Sequence, residues 1–551
     1  MHGLNIILPI LASIPNVFCL SKSRSVNDVP IVDLGYAQYQ GVFDVNTNTT
    51  SYFGVRYAAP PVGKCLLGSS FSITLTRSIG DLRWQAPQAP ANVTGVQQAD
   101  TEPSPCFSSG QGIAPPDTAS TSHEKRQTPA QSEDCLFLNV YFPGDSIPGT
   151  LLPTVVWIHG GGYIGGSASS FTGSDLIRES EHGVVAVIIQ YRLGFFGFLA
   201  GNEVKENGVL NAGLLDQNFA LRWVNQHISK FGGDPTKVTI WGESAGAGSV
   251  LQHVIAEDGQ TSPQLFRGAI TSSTFLPSQY LFNDTIPQSL YDQVVEQTNC
   301  TSASDTLTCL RGVDASVLQA ANTKINTAGF FGTFVSVPVV DGTFIRQRAT
   351  EALKQGKVNG EVLLAVTNAD EGSAFVNQSD PLNATFYASQ LFPKLSSNET
   401  SAIEAAYANL GSLITQDNLI MGESIFVCPT YFLLNAFQNR SFKGEFALPP
   451  AGHGLDVNYY FPAGKTLSFN NTAFLNAFSQ SFLSFVISLD PNVKVDPTNI
   501  TPQWSLYSDG NTEMKFNKTA DNQPNVTTIT TDDNLLERCS LWESLGSLTG
   551  Q

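Results

Sequence analysis

Charged residues are sparse in this sequence, and positive charge is the scarcest: 29 Lys and Arg stand against 47 Asp and Glu in 551 residues. The resulting net charge of −18 repels phosphate backbones, so we expect no nucleic-acid partner. An uninterrupted apolar run of about 18 residues, the length that spans a bilayer, is missing, and we expect no stable membrane anchor. The sequence specifies no oligomeric state.

Hydrophobic residues make up 42% of the chain, which predicts a large globular core. Apolar runs without alternation are separated by stretches with helical spacing, a pattern typical of parallel strands covered on both faces. The predicted strands are Thr154–Gly162, Val184–Arg192, KVTIWG, FRGAITSS and EVLLAVTNADEG. Two N-terminal segments, VDLGYAQYQGVFD and TTSYFGVRYA, alternate instead and predict an antiparallel hairpin at the sheet edge. The fold class predicted is α/β, with a large, mostly parallel central sheet.

Several features predict export. Residues 1–20 fit a signal peptide with an apolar segment from Leu4 to Ala12, and residues 29–545 then form one catalytic domain. Twelve Asn-x-Ser/Thr acceptors are present, which fits a secreted glycoprotein. The acceptor asparagines are Asn48, Asn92, Asn283, Asn299, Asn377, Asn383, Asn398, Asn439, Asn470, Asn499, Asn517 and Asn525.

The stretch VTIWGESAGAG (Val238–Gly248) contains the one Gly-x-Ser-x-Gly of the chain. It is either a glycine-rich strand-to-helix turn or a nucleophile elbow with Ser244 at its tip. At such an elbow the residues two before and two after the serine come close together, and Gly242 and Gly246 supply the room.

A nucleophilic serine needs a base, and seven histidines offer few choices. His453 lies in PPAGHGLDVNYYF, after a Pro/Gly-rich loop and before a predicted alternating strand, and a loop at a strand end is where a catalytic histidine would be held. The alternative interpretation is a surface-loop histidine. The other histidines fall in the N-terminal segment, a polar loop, helical stretches or the HGGG run.

The run IHGGGY follows a strand, so Gly161 and Gly162, together with Ala245, are candidate backbone donors to an oxyanion. A flexible glycine loop is the alternative. The third catalytic group should be a carboxylate after another strand, and LLAVTNADEGSAF offers both Asp370 and Glu371. Spacing does not choose between these neighbours. The order serine, acid, histidine is the α/β-hydrolase order.

With these motifs the chain resembles the type-B carboxylesterase/lipase family, which includes cholinesterases and secreted fungal lipases. The resemblance runs from about Val29 to Trp542 through SEDCLFLNVYFP, HGGGY, YRLGFFGFL, GESAGAGS, TNADEGSAF and GHGLDVNYYF. It implies an α/β-hydrolase fold, Ser244 as nucleophile, His453 as general base and Glu371 as the acid. It also implies Gly161, Gly162 and Ala245 as oxyanion donors.

The same resemblance implies three disulfides, Cys106–Cys135, Cys300–Cys309 and Cys428–Cys539. Cys19 would leave with the signal peptide, and Cys65 has no partner. Cys65 lies in an insertion, residues 64–80, between PPVG and DLRW. The insertion is either a surface hairpin, in which Phe71, Ile73 and Leu75 alternate, or a retained intron, since GKC can be encoded as GGTAAGTGC with its donor-like GTAAGT. We favour the intron.

The Cys106–Cys135 loop bears on the substrate. Phe107 is its one aromatic residue, which argues against choline esters bound by cation–π contact. The loop is polar and has no apolar helical stripe, so we expect a hydrolase of small or soluble esters rather than a triacylglycerol lipase. A catalytically inactive adhesion protein is the remaining alternative, although serine, acid and histidine are all present. The mechanism needs no metal or cofactor.

Overall fold

The computed structural model describes residues 29–62, 80–114 and 130–551. Most of the insertion at 64–80 and the signal segment at 1–20 therefore lie outside the described residues. The strands are β1 (Ile31–Asp33), β2 (Gln38–Gln40), β3 (Val42–Asp44), β4 (Thr49–Arg56), β5 (Val96–Gln98), β6 (Phe137–Pro143), β7 (Leu152–Ile158), β8 (Val185–Ile189), β9 (Gly233–Glu243), β10 (Gly268–Ser272), β11 (Val362–Asn368), β12 (Ser441–Phe446), β13 (Thr512–Lys518) and β14 (Pro524–Thr530).

Helices connect these strands and cover the sheet. The α-helices are α1 (Gly173–Glu179), α2 (Gly194–Phe198), α3 (Asn202–Asn207), α4 (Ala212–His227), α5 (Ala245–Ile255), α6 (Thr285–Gln297), α7 (Thr306–Gly312), α8 (Ala315–Thr327), α9 (Ala349–Lys354), α10 (Ala384–Leu391), α11 (Ser397–Tyr407), α12 (Leu413–Gly422), α13 (Cys428–Phe437), α14 (Val457–Tyr460), α15 (Thr472–Ser488), α16 (Asp533–Ser544) and α17 (Gly546–Thr549). A π-helical turn, Glu423–Val427, joins α12 to α13.

Eleven strands of the described chain form one sheet in the order β14-β13-β12-β11-β10-β9-β7-β8-β6-β4-β3. The seven central strands, from β13 to β8, run parallel, and the pairs at both ends are antiparallel. The predicted α/β class is therefore confirmed, and so is the antiparallel N-terminal edge, where β3 pairs with β4. A small sheet of β1, β2 and β5 lies beside it.

Both faces of the parallel sheet are buried, as the unbroken apolar runs predict. Along β7, Val156 and Ile158 belong to one core cluster, whereas Val155 and Trp157 belong to another. Because successive strand residues point to opposite faces, each face has its own core. This is why these strands show no polar alternation.

One predicted element after His453 is wrong. The segment that follows was predicted as an alternating strand, but Val457–Tyr460 is the short helix α14. Both neighbours of β12 in the sheet, β11 and β13, are already paired with it, so no edge is open at this point. The consecutive tyrosines Tyr459 and Tyr460 are both buried against α15, where Tyr460 stacks on Phe478.

Disulfides join Cys106 to Cys135, Cys300 to Cys309 and Cys428 to Cys539, the same pairs that the family resemblance implies. The last bond ties α16 to α13. Within the described residues, one continuous helical stretch, Leu413–Arg440, has the length and mean hydropathy (1.4) of a membrane span. Its apolar window is 83% buried inside the protein, as a core helix would be, so it is weak evidence for a membrane span.

Candidate active site

Ser244 lies on a tight turn between β9 and α5. Its φ of 55° and ψ of −125° are strained for a residue with a side chain. A Cβ on Gly242 would lie 2.4 Å from the carbonyl carbon of Gly246, and a Cβ on Gly246 would lie 2.0 Å from the backbone oxygen of Ile158. The turn therefore requires glycine at both positions, which is the close approach expected of a nucleophile elbow.

The backbone around the elbow presents free amides. Ala245 is the first residue of α5, where a helix leaves its N–H groups without intrahelical partners. After β7, Gly161 and Gly162 have φ values of 104° and 62°, in the region that favours glycine. In the described part of the chain, none of these three amides donates to a protein acceptor. They are therefore available to a ligand.

Glu371 and His453 are brought together by the ends of two neighbouring parallel strands. Glu371 follows β11, His453 follows β12, and Asp370 forms an isolated bridge with Gly452. The bridge aligns the two loops, and Nδ1 of His453 lies 2.6 Å from Oε2 of Glu371.

The structure distinguishes the two acids that the sequence left open. Oε1 of Glu371 accepts hydrogen bonds from the backbone N–H of Asn368 (2.6 Å) and the hydroxyl of Ser273 (2.7 Å). With Oε2 facing His453, the carboxylate is fixed on both sides. Asp370 instead accepts from the hydroxyl of Ser373 at 2.6 Å. Glu371, and not Asp370, is therefore in place to orient the imidazole.

Other histidines are held in structural contacts. His159 stacks on Tyr191, with ring centroids 4.5 Å apart, and burial lowers its pKa to about 4. His253 is buried beside Gln217, and burial lowers its pKa to about 3. Neither ring faces a carboxylate as His453 does.

A second carboxyl group, that of Glu243, also lies next to the His453 ring, and sequence reasoning missed it. Its Oε1 lies 3.3 Å from Nε2 of His453. Burial is the main cause that raises the pKa of Glu243 to about 8; His453 opposes it, and the acids Asp456 and Glu371 add to it. The signal available in the sequence was its place directly before Ser244 in GESAG.

Ser244 and His453 converge on the same small region. A Cβ on Gly160 would lie 2.8 Å from Oε2 of Glu243 and 3.0 Å from Cβ of Ser244, so the loop after β7 packs onto the elbow. Burial lowers the pKa of His453, but the bond to Glu371 and the surrounding acids outweigh it, and the pKa lies above its ordinary value. No hydrogen bond joins Ser244 and His453 in this structure.

A cavity of about 240 Å³ opens beside His453, and we call it the phenylalanine cavity. Phe375 and Phe426, two of its lining residues, contact the imidazole with ring centroids 4.9 and 4.5 Å apart. A third, Phe334, packs on Gly162 so closely that a Cβ there would lie 2.0 Å from the ring. The lining given by the described residues contains no charged side chain. The cavity therefore suits an apolar group held next to the histidine.

Comparisons with known proteins agree with this geometry. A model of the carboxylesterase family matches residues 76–537. The chain is 30% identical to carboxylesterase patB of Aspergillus clavatus over 519 residues, covering 86% of this chain and 91% of that protein. It is 32% identical to secreted lipase 1 of Botryotinia fuckeliana over 414 residues, covering 70% and 69%.

Among solved structures, EstA of Aspergillus niger superposes with a TM-score of 0.80 at 29% identity, covering 96% of this chain and all of that one. The three disulfides and the likeness to a secreted lipase are consistent with an extracellular location. The chain belongs to the carboxylesterase family, with an α/β-hydrolase fold and the family's class of activity, hydrolysis of carboxylic esters.

Proposed function

We propose that the chain is exported by its signal peptide and hydrolyses small or soluble esters with an apolar acyl group through Ser244, His453 and Glu371. The observation that carries the proposal is the 2.6 Å contact between Glu371 and His453 beside an apolar cavity and the serine elbow. An acid that fixes one ring nitrogen leaves the other free to accept the serine proton.

The reaction has two stages. As Oγ of Ser244 attacks the ester carbonyl, Nε2 of His453 takes the hydroxyl proton, and the oxyanion accepts hydrogen bonds from Gly161, Gly162 and Ala245. Collapse of this intermediate breaks the bond to the alcohol, which leaves with the proton from His453. Water then attacks the acyl-enzyme by the same route and releases the carboxylic acid. Glu371 holds the imidazole and stabilises its positive charge.

Labelling with a fluorophosphonate tests the nucleophile. We expect stoichiometric labelling of the wild type at Ser244 and none of Ser244→Ala, together with a fall in kcat of several orders of magnitude. Ester turnover by Ser244→Ala would refute the assignment. An unlabelled wild type would favour the adhesion alternative.

A lipase is the second candidate, because one of the matched relatives is named a lipase and the phenylalanine cavity is apolar enough for a fatty acyl chain. The residues that would form a lid, 115–129, lie outside the described residues. Hydrolysis of p-nitrophenyl acetate, butyrate, octanoate and palmitate, each with and without an emulsified interface, separates the two. An esterase keeps most of its activity without the interface, whereas the activity of a lipase rises when the interface is present.

A further inference from the structure

A second cavity, of about 460 Å³, adjoins the phenylalanine cavity, and Phe330 and Gln390 line both. We call it the acidic cavity. Its walls include the aromatic residues Phe331, Phe386 and Tyr387 and the acids Asp380 and Asp417. The mechanism proposed above uses none of these residues.

Asp417, on α12, is a buried carboxylate with one of its two oxygens unpartnered among the described residues. Its exposed fraction is 0%. Oδ2 accepts a hydrogen bond from the backbone N–H of Leu382 at 2.8 Å, but Oδ1 has no partner in the described part of the chain. A buried polar atom without a partner costs free energy, so this oxygen is suited to a ligand donor.

Tyr387, on α10, is the second such group. It is 2% exposed, and its hydroxyl also lacks a hydrogen-bond partner among the described residues. Tyr387 and Asp417 both line the acidic cavity, and burial together with the charge of Asp417 raises the pKa of Tyr387. The phenol ring packs edge-on against Phe330, with centroids 5.6 Å apart, which fixes its direction.

The charge of the cavity is unbalanced. The lining given by the described residues holds two acids and no Lys, Arg or His, and Asp417 forms no ion pair within the same described ranges. Burial raises the pKa of Asp417 to about 6, against a smaller effect of the Leu382 amide. At neutral pH the group is therefore mostly ionised, and no residue that the structure describes supplies its countercharge.

We propose that the acidic cavity binds a protonated primary amine that carries an apolar or aromatic group. The ammonium donates one hydrogen bond to Oδ1 of Asp417 and one to the hydroxyl oxygen of Tyr387. The rings of Phe330, Phe331 and Phe386 take the apolar part and attract the cation at their faces. Phe386 is 49% exposed, which places an aromatic residue at the solvent side of the cavity.

The amine has two possible sources. It is either a separate molecule that binds beside the catalytic cavity or the amine-bearing arm of the ester substrate. Only the second source rests on the proposed function. The binding site itself does not, because Ser244 and His453 take no part in it.

Calorimetric titration of the full-length protein with 2-phenylethylamine, and with 2-phenylethanol as its uncharged match, tests the site. We expect saturable binding of the amine, with affinity about tenfold higher than that of the alcohol, and an affinity about tenfold weaker in Asp417→Asn. Tyr387→Phe should weaken amine binding severalfold. Glu404→Gln, which removes an exposed acid on α11, is the control for net charge and should leave the affinity unchanged, as should Ser244→Ala.

The proposal is overturned if the wild type does not bind the amine, if Asp417→Asn binds it as tightly as the wild type, or if the alcohol binds equally well. If Asp417→Asn does not fold, Tyr387→Phe and the comparison of amine with alcohol in the wild type still test the proposed site. We expect Asp417→Asn to fold, because it removes an uncompensated buried charge.

Kinetics distinguish the two sources. If the amine belongs to the substrate, Asp417→Asn raises the KM for the ω-amino analogue of p-nitrophenyl hexanoate severalfold and leaves the KM for p-nitrophenyl hexanoate unchanged. If the amine is a separate molecule, neither KM changes and the amine still binds after Ser244 has been labelled with a fluorophosphonate. A protein that binds the amine but hydrolyses neither ester would refute the proposed function and leave the amine site standing.

Discussion

The imidazole of His453 lies between two carboxyl groups: Nε2 is 3.3 Å from Oε1 of Glu243, and Nδ1 is 2.6 Å from Oε2 of Glu371. Burial raises the pKa of Glu243 to about 8, and the pKa of His453 is also raised. Glu371 is suited to holding the ring. Glu243, directly before Ser244, instead faces Nε2, the nitrogen that takes the serine proton in the proposed mechanism, and near neutral pH it carries a proton of its own.

We expect Glu243→Gln to leave the acidic limb of the kcat/KM profile in place, because Glu243, with a pKa of about 8, already carries a proton at the pH where His453 becomes protonated. Glutamine then replaces one neutral group with another. The profile is measured with a soluble p-nitrophenyl ester. Asp370→Asn, at an acid bonded to Ser373, is the matched control and should also leave the limb in place. A limb that moves to lower pH in Glu243→Gln would show that Glu243 is ionised beside His453 and raises its pKa.

The acid at the end of β11 shows where sequence reasoning stops. The sequence predicted a strand followed by two adjacent carboxylates, and the family resemblance favoured Glu371. From the residues alone the choice was open, because it depends on which way each side chain points. In the structure the bridge between Asp370 and Gly452 fixes the loop, and this pairing joins positions 82 residues apart. A single sequence carries no signal for such a pairing.

The elbow was more predictable, and it gives a test of the packing. We expect Gly246→Ala to lower the free energy of unfolding by about 1–3 kcal/mol or more and to reduce ester hydrolysis at least tenfold, because its Cβ would meet the Ile158 carbonyl of the neighbouring strand. Thermal unfolding and kcat/KM measure the two effects. Gly312→Ala is the matched control, since a Cβ there meets nothing within 4 Å. A fully stable and active Gly246→Ala would contradict the tight elbow.

The phenylalanine cavity could not be placed from the sequence, because its walls come from loops and helices far apart in the chain. One of its lining residues can be changed without replacing any of the proposed catalytic groups. Leu290, on α6, is half-buried and lines the cavity. We expect Leu290→Trp to fill part of the space and to lower kcat/KM for p-nitrophenyl octanoate about tenfold. The value of kcat/KM for p-nitrophenyl acetate should stay within about twofold of the wild type.

The neighbouring Ser289 is exposed and does not line the cavity, so Ser289→Trp is the matched control for a tryptophan on the same helix. Ser289→Trp should leave kcat/KM for both esters unchanged. An equal loss with acetate and octanoate in Leu290→Trp would indicate general damage and not an acyl-binding role for the cavity.

Composition and motifs also predicted twelve glycosylation acceptors, but burial separates one from the rest. Asn499 is 6% exposed; its Nδ2 donates to the backbone oxygen of Asn476, and its Oδ1 accepts from the backbone N–H of Thr501, both at 2.9 Å. A glycan on Nδ2 would break this packing, whereas Asn470, nearby in the chain, is exposed. For protein secreted from a eukaryotic host, release of N-glycans in heavy-oxygen water should convert Asn470 to labelled aspartate and leave Asn499 unlabelled. The control variant Asn499→Gln should secrete with an unchanged glycan mass, and a labelled Asn499 in folded, active protein would contradict the buried contacts.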